Sequence, residues 1–185
     1  MSSRFTTRPL RPDDVDALLA FYRQLPAWIV HWYDPFPDPD LGKIGGHLAQ
    51  ASAGAAISLG LVAPDGAIAG HGFIQGLDTP APTFGIGLTE SLVGMGWGWR
   101  LMTAVLAAGD ARRLPKIILT VFKVNMAARH LYEALGFVST GECQCRPPGD
   151  SLGMERLCGG GSSRPGRLAA PRKAEDGREK TKDSP

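Results

Sequence analysis

Residues 125–137 read Asn125-Met-Ala-Ala-Arg-His-Leu-Tyr-Glu-Ala-Leu-Gly-Phe137. Asn is a favoured helix N-cap because its side-chain oxygen accepts an amide proton that the first turn cannot otherwise satisfy. Ala128, Leu131, Tyr132 and Leu135 then recur at the spacing of one helix face. Gly136 reads as the stop, since glycine enters the left-handed conformation there without strain. The stretch predicts a short amphipathic helix whose apolar face needs a partner.

Outward from this helix the pattern alternates. Lys116 to Phe122 is an apolar, β-branched run behind the breaker Pro115 and reads as a strand. Upstream, Thr83 to Thr89 predicts a strand and Gly96 to Arg112 a helix, with Trp97, Leu101, Val105 and Ala108 down one side. Downstream, Val138 to Arg146 and Ser151 to Leu157 predict a hairpin. Toward the N-terminus, Ala56 to Ala63 and Ala67 to Leu77 read as strands joined at Pro64-Asp65-Gly66. A helix is predicted over Asp40 to Ser52. Another starts at Pro12, where Asp13 and Asp14 suit the positive helix end and Val15, Leu18, Leu19 and Tyr22 share a face. Phe5 to Leu10 predicts a first strand. Between Pro26 and Pro39 the chain is too rich in proline for regular structure, yet aromatic. The order β-α-α-β-β-β-α-β-α-β-β predicts a mixed α/β domain.

Composition bounds the function. The chain has 185 residues and is 43% hydrophobic, enough for a sizeable core. Its net charge of +2 is unevenly placed, because residues 159–185 hold seven basic and four acidic residues. That stretch has Leu168 and three alanines as its only clear apolar residues, so a disordered, mildly basic tail is expected after a domain of residues 1–158. The rest is slightly acidic, which argues against a nucleic-acid reader. Three cysteines, Cys143, Cys145 and Cys158, argue against a disulfide framework. With no signal-peptide pattern after Met1 and no apolar run of membrane length, a cytoplasmic protein without a membrane partner is expected. Cys143-Gln-Cys145 with Cys158 lacks a sensibly spaced fourth ligand, so no metal is expected.

Gly94, Gly96 and Gly98 stand between a strand and a helix. Glycines let a ligand approach the backbone closely, and the first amides of a helix carry positive potential and lack partners. A pyrophosphate-bearing cofactor fits such a site. A glycine-rich turn before a buried helix is the other reading. The spacing departs from G-x-G-x-x-G, and no Gly-Lys-Ser/Thr follows for a Walker loop.

Taken together, these segments resemble the GNAT superfamily of N-acetyltransferases over about Arg4 to Leu157. Asn125, Ala128, Tyr132, Gly136 and Phe137 match its helix signature N-x-x-A-x-x-x-Y-x-x-x-G-F, and Val93-Gly-Met-Gly-Trp-Gly98 aligns with its Q/R-x-x-G-x-G/A loop. Val93 departs from the Gln or Arg of that loop, and Arg100 is a candidate to compensate. The resemblance implies a twisted, mostly antiparallel sheet with helices on both faces. It implies acetyl-CoA as co-substrate, bound by Leu88, Val93, Gly94, Met95, Gly96, Trp97, Gly98 and Asn125, and direct acetyl transfer to a small-molecule or protein amine. A backbone amide near Leu88 would polarise the thioester carbonyl, and Tyr132 would act as the acid at the leaving thiolate.

The strand 83–89 lacks the Glu that some members use as a base. His71, Glu90, His31 and Asp34 are the candidate bases, although His71 also reads as a structural histidine beside Phe73 and Gln75. His47 and His130 read as surface residues. Arg129, one turn into the signature helix, can reach a phosphate or face solvent. In this family the region Trp28 to Phe36 borders the acceptor pocket, so Trp28, Trp32, Tyr33 and Phe36 are expected to wall an apolar substrate or to be core packing. A GNAT-fold acyl-CoA-binding or regulatory module and an acyltransferase for longer acyl chains are the alternatives. The state of assembly, monomer or homodimer, stays open.

Overall fold

The computed structural model describes residues 5–33, 35–143 and 149–158. The expected tail at 159–185, the boundary at 158, Asp34, Cys145 and the end of the strand expected to reach Arg146 lie outside or at the edge of these residues. The chain begins with strand β1 (Thr6–Pro9), a 3-10 turn at Pro12–Asp14, and helices α1 (Val15–Gln24), α2 (Ala27–Trp32) and α3 (Leu41–Ser52). Strands β2 (Ala56–Val62), β3 (Ile68–Gln75) and β4 (Thr83–Leu88) follow, then a 3-10 turn at Glu90–Leu92. Helix α4 (Trp97–Ala111), strand β5 (Lys116–Phe122), helix α5 (Met126–Ala134) and strands β6 (Val138–Glu142) and β7 (Ser151–Leu157) complete the order.

Local chemistry sets the helix ends. Asp40 caps α3 by accepting the Lys43 amide at 2.8 Å, and Asn125 caps α5 by accepting the Ala128 amide at 3.2 Å. Gly136 has φ +88°, as the predicted stop requires, and the Gly136 amide donates to Glu133 O. Asp14 accepts the Arg11 amide at 2.7 Å and a two-pronged bond from Arg8. The Arg8 guanidinium is the main reason that its carboxyl lies below the usual range. Helix α2 corrects the expectation of irregular structure after Pro26. Pro26 supplies the extended entry, and the prolines that forbid a helix begin only at Pro35, so Ala27–Trp32 completes a turn and a half.

The seven strands form one sheet in the order β1-β2-β3-β4-β5-β7-β6. Neighbours are antiparallel except β4 and β5, which run parallel and pair only at Thr83 with Ile118. The mixed, mostly antiparallel α/β architecture therefore matches the expected one. Both sheet faces are covered. Ile57, Leu59 and Leu61 of β2 and Ile74 of β3 pack with Leu101, Met102 and Val105 of α4. The opposite side holds Leu18, Phe21 and Tyr22 of α1 and Ile44 and Leu48 of α3. The two-residue period of a strand alternates these faces, so Gly70 and Gly72 lie under α4 while His71 and Phe73 face α1 and α3. Beyond the Thr83–Ile118 pair, β4 and β5 diverge. A cleft opens at the C-terminal end of β4.

The cysteines depart from expectation in one respect. Cys143 is disulfide-bonded, and Cys158 is a free thiol.

Candidate active site

The cleft is a cavity of about 520 Å³. Ile86, Gly87 and Leu88 of β4 form its floor. Val93, Gly94, Gly96 and Gly98 border it from the α4 side, Asn125, Ala128, Leu131 and Tyr132 from α5, and Trp28, Trp32 and Tyr33 from the α2 region. Segments far apart in sequence meet here because β4 and β5 separate.

The glycine loop is shaped by conformation rather than by crowding. Gly94 and Gly96 have φ of +75° and +81°, which disfavours any side chain, yet a Cβ on either would meet nothing within 4 Å. Gly96 is the N-cap of α4, and among the described residues no side chain caps that helix. Its first-turn amides are therefore open toward whatever enters, a fit for phosphate oxygens. Of the residues expected to hold the cofactor, Leu88, Val93, Gly94, Gly96, Gly98 and Asn125 line the cavity. Met95 and Trp97 do not. Met95 is 66% exposed, and Trp97 packs edge-on against Phe5 at 5.3 Å with the Arg100 guanidinium over its ring. Arg100 is thereby engaged with an indole. Arg129 bends back on its own helix start, donating to Lys123 O at 3.0 Å and Met126 Sδ at 3.3 Å, while its buried Nε has no partner among the described residues.

Tyr132 is wedged by Phe84 and Phe137, with ring centroids at 6.2 and 5.8 Å. Its hydroxyl has no hydrogen bond to any described residue and belongs to the cavity wall. Burial pushes the phenol up to about 12, because the phenolate would be poorly solvated. It is therefore protonated at neutral pH, the form that donates.

The candidate bases separate. Glu90 accepts from Trp28 Nε1 at 3.2 Å on the exposed side. His31 stacks on Phe122 at 5.0 Å. His71 is wholly buried, and both its ring nitrogens are hydrogen-bonded, to Tyr22 at 2.6 Å and Ser58 at 2.9 Å. That favours the structural reading of His71 as far as direct contact with substrate goes. His47 corrects the expectation of a surface residue. It is 4% exposed and bonds Ser58 at 3.1 Å, because α3 turns it toward β2. Burial lowers both imidazoles, His47 to about 4. His130 is exposed, as expected. Trp28, Trp32 and Tyr33 line the cavity, whereas Phe36 packs on Tyr22, His47 and Phe73. The sequence reading missed Tyr22, which shows only helix-face spacing in the sequence. It also missed Ser58, whose partners lie on other elements.

No group of described residues has the composition of a metal centre, and no described helix is long and apolar enough to cross a membrane. The sequence model of the acetyltransferase (GNAT) family matches residues 18–137. No curated protein matches the chain. Solved structures share its fold at low identity. A ribosomal-protein-S5-alanine acetyltransferase from Vibrio fischeri is 14% identical with a TM-score of 0.73, over 86% of this chain and 96% of that one. A phosphinothricin acetyltransferase from Sinorhizobium meliloti, solved with acetyl-CoA, is 18% identical with a TM-score of 0.69, over 90% and 96%. The PaiA N-acetyltransferase from Thermoplasma acidophilum, in complex with coenzyme A, is 14% identical with a TM-score of 0.66, over 83% and 99%.

Proposed function

The chain belongs to the GNAT acetyltransferase family, and from that premise we propose that it transfers the acetyl group of acetyl-CoA directly to an amine within a ternary complex. One observation carries the reading: a single cavity gathers the end of β4, the start of α4, Asn125 and the hydroxyl of Tyr132, and no side chain among the described residues caps that helix or bonds that hydroxyl. The amides of Gly96 to Gly98 would hold the pyrophosphate, and Asn125 would border the cofactor arm. Val93 in the place of Gln or Arg removes one side-chain contact and leaves the backbone donors intact.

The residues divide the chemistry. Negative charge grows on the thioester oxygen, and a backbone amide near Leu88, at the end of β4 that borders the cleft, would stabilise it. Tyr132 holds a proton for the departing sulfur, whose thiolate has an ordinary pKa of about 8.5. The fixed frame brings nucleophile and carbonyl together, which lowers the entropy cost of reaction.

The acceptor side has a character of its own. Trp28, Ile29, Trp32, Tyr33 and Leu131 wall it, and no described residue lining the cavity is Asp, Glu, Lys, Arg or His. A polycation would lose its hydration there without a counter-charge. We infer that the acceptor carries its amine on an apolar or aromatic body, either as a small molecule or at the end of a peptide. Thiol release from acetyl-CoA, measured against tryptamine-like monoamines, hydrophobic N-terminal peptides and polyamines, tests this. Turnover with the first two and little with the third is expected. Efficient polyamine turnover would refute the acceptor class, and failure to bind acetyl-CoA would refute the whole reading.

A further inference from the structure

Behind the acceptor wall runs an unbroken chain of buried hydrogen bonds. Tyr33, on the cavity, bonds Tyr22 hydroxyl to hydroxyl at 2.8 Å. Tyr22 bonds His71 Nδ1 at 2.6 Å, His71 Nε2 bonds Ser58 Oγ at 2.9 Å, and Ser58 bonds His47 Nε2 at 3.1 Å. The five residues come from four places: α1, the end of α2, α3 and the paired strands β2 and β3. Neither histidine is hydrogen-bonded to a carboxylate or a cation among the described residues.

The chain is set against β4 at the reacting end. A Cβ on Gly87 would collide with the Tyr33 ring, and one on Gly85 with the Phe73 ring. Tyr33 thus fills the space over the residue before Leu88, on the strand that lacks a glutamate. The Tyr33 and Tyr132 phenols line the same cavity.

The lengths also select a direction. If Tyr33 donates to Tyr22, then Tyr22 donates to His71 Nδ1, His71 Nε2–H donates to Ser58, and Ser58 donates to His47 Nε2. Every proton then sits on a bond of 3.1 Å or less. In the opposite direction the only acceptor for the Tyr33 proton among the described residues is the His71 carbonyl, at 3.5 Å, which is marginal for a hydroxyl donor. The first arrangement needs both histidines neutral, as their burial favours. It leaves a lone pair of the Tyr33 oxygen free toward the cavity.

On the acetyltransferase reading above, we propose that Tyr33, Tyr22, His71, Ser58 and His47 form a proton wire that takes the proton of the acceptor amine as the amide bond forms. Tyr33, the one of the five that lines the cavity, is the group placed to meet the amine; the other four act through it. As the C–N bond forms and the C–S bond breaks, the nitrogen gives a proton to the Tyr33 oxygen. The Tyr33 proton moves to Tyr22, that of Tyr22 to His71 Nδ1, that of His71 Nε2 to Ser58, and that of Ser58 to His47 Nε2. His47 then carries two ring protons, a charge its burial disfavours and that it therefore holds only in passing. Tyr132 gives its own proton to the departing sulfur. The wire runs back, and the proton returns from Tyr33 to the Tyr132 oxygen through solvent in the cavity that both line. The nitrogen has lost one proton, the sulfur has gained one, and every residue is restored.

Tyr22→Phe and Ser58→Ala break the wire without touching the cavity. Each is expected to lower kcat by about 10²-fold, the scale of losing one positioned acid–base group, with acetyl-CoA affinity by calorimetry unchanged. The residual activity should climb with pH as hydroxide replaces the wire. A structural role would move stability and leave the pH profile of kcat alone. Folded variants with wild-type kcat and pH profile would overturn the proposal. Independently of turnover, the ¹⁵N imidazole resonances of the wild-type protein should show His71 protonated on Nε2 and His47 on Nδ1. The reverse tautomers would overturn it even if a variant fails to fold. A wild-type protein inactive with every amine would instead sink the acetyltransferase reading, so the two failures are distinct.

Discussion

Gly96→Ala isolates the role of the glycine loop. The native φ of +81° lies in the left-handed region, where an L-residue costs roughly 1–2 kcal/mol. No atom lies within 4 Å of the added Cβ, so steric crowding contributes nothing and conformational strain is the whole effect. That strain can appear in two places. If the loop keeps its shape, the folded protein carries it, and Tm falls by about 2–4 °C per kcal/mol for a chain of this size. If the loop relaxes, the shape must be restored when acetyl-CoA binds, and 1–2 kcal/mol becomes about 5- to 30-fold in Kd. The two losses should add to the same 1–2 kcal/mol. Gly96→Asn should lose less, because Asn enters this region more readily. Gly96→Asp should lose more. One like charge about 5 Å from a phosphate adds at most about 3 kcal/mol at an effective dielectric constant near 20. Calorimetry with acetyl-CoA and thermal melts on the three variants give both quantities. If Gly96→Ala changes neither Kd nor Tm, the positive φ has no function. If Gly96→Asp binds as tightly as the wild type, the pyrophosphate lies elsewhere.

Tyr132→Phe keeps the ring between Phe84 and Phe137 and removes only the hydroxyl; kcat should fall about 10²-fold with acetyl-CoA affinity unchanged, and unchanged single-turnover rates would remove Tyr132 from the chemistry. His47 has its pKa lowered by burial from 6.5 to about 4, so the unfolded chain binds its proton first as pH falls. Its contribution to stability should be complete above pH 6.5 and decline between 6.5 and about 4, seen as a falling Tm that flattens in His47→Gln; an equally steep fall in that variant would show that other groups set the slope. Arg156 grips both oxygens of Asp110 at 2.8 Å, tying β7 to α4. Because the pair is part-exposed, Asp110→Asn should cost about 0.5–1 kcal/mol in urea unfolding, and a cost several times larger would mean that the pair anchors the sheet.

The features legible in the sequence are those decided within a few residues. Asn125 caps because its side chain reaches its own helix, and Gly136 and Gly96 are needed because φ is a property of one residue. The spacing of Leu131, Tyr132 and Leu135 states which side of α5 is covered, and the alternation in β2 and β3 states that strands are buried. The family motif rests on these local requirements, so the fold and the conformation of the glycine loop could be read before any packing was known. Even within this range, α2 was missed, because prolines downstream masked a turn that Pro26 starts well.

Contacts between distant segments needed the tertiary structure. His47 is polar in a helix with ordinary spacing, and its burial depends on α3 docking over Ser58. Tyr22 and His71 meet only because α1 crosses the face on which the β2–β3 register sets His71 opposite Gly60. Tyr33 reaches Gly87, and Phe36 turns inward to Tyr22 instead of joining the cavity wall, although the two are neighbours in one aromatic stretch. The cleft itself exists because β4 and β5 pair at one position and then part. Local preferences determine which backbone states a segment adopts; which side chains share a buried space depends on register and docking between elements separated by tens of residues, and those follow from the summed packing of the whole chain.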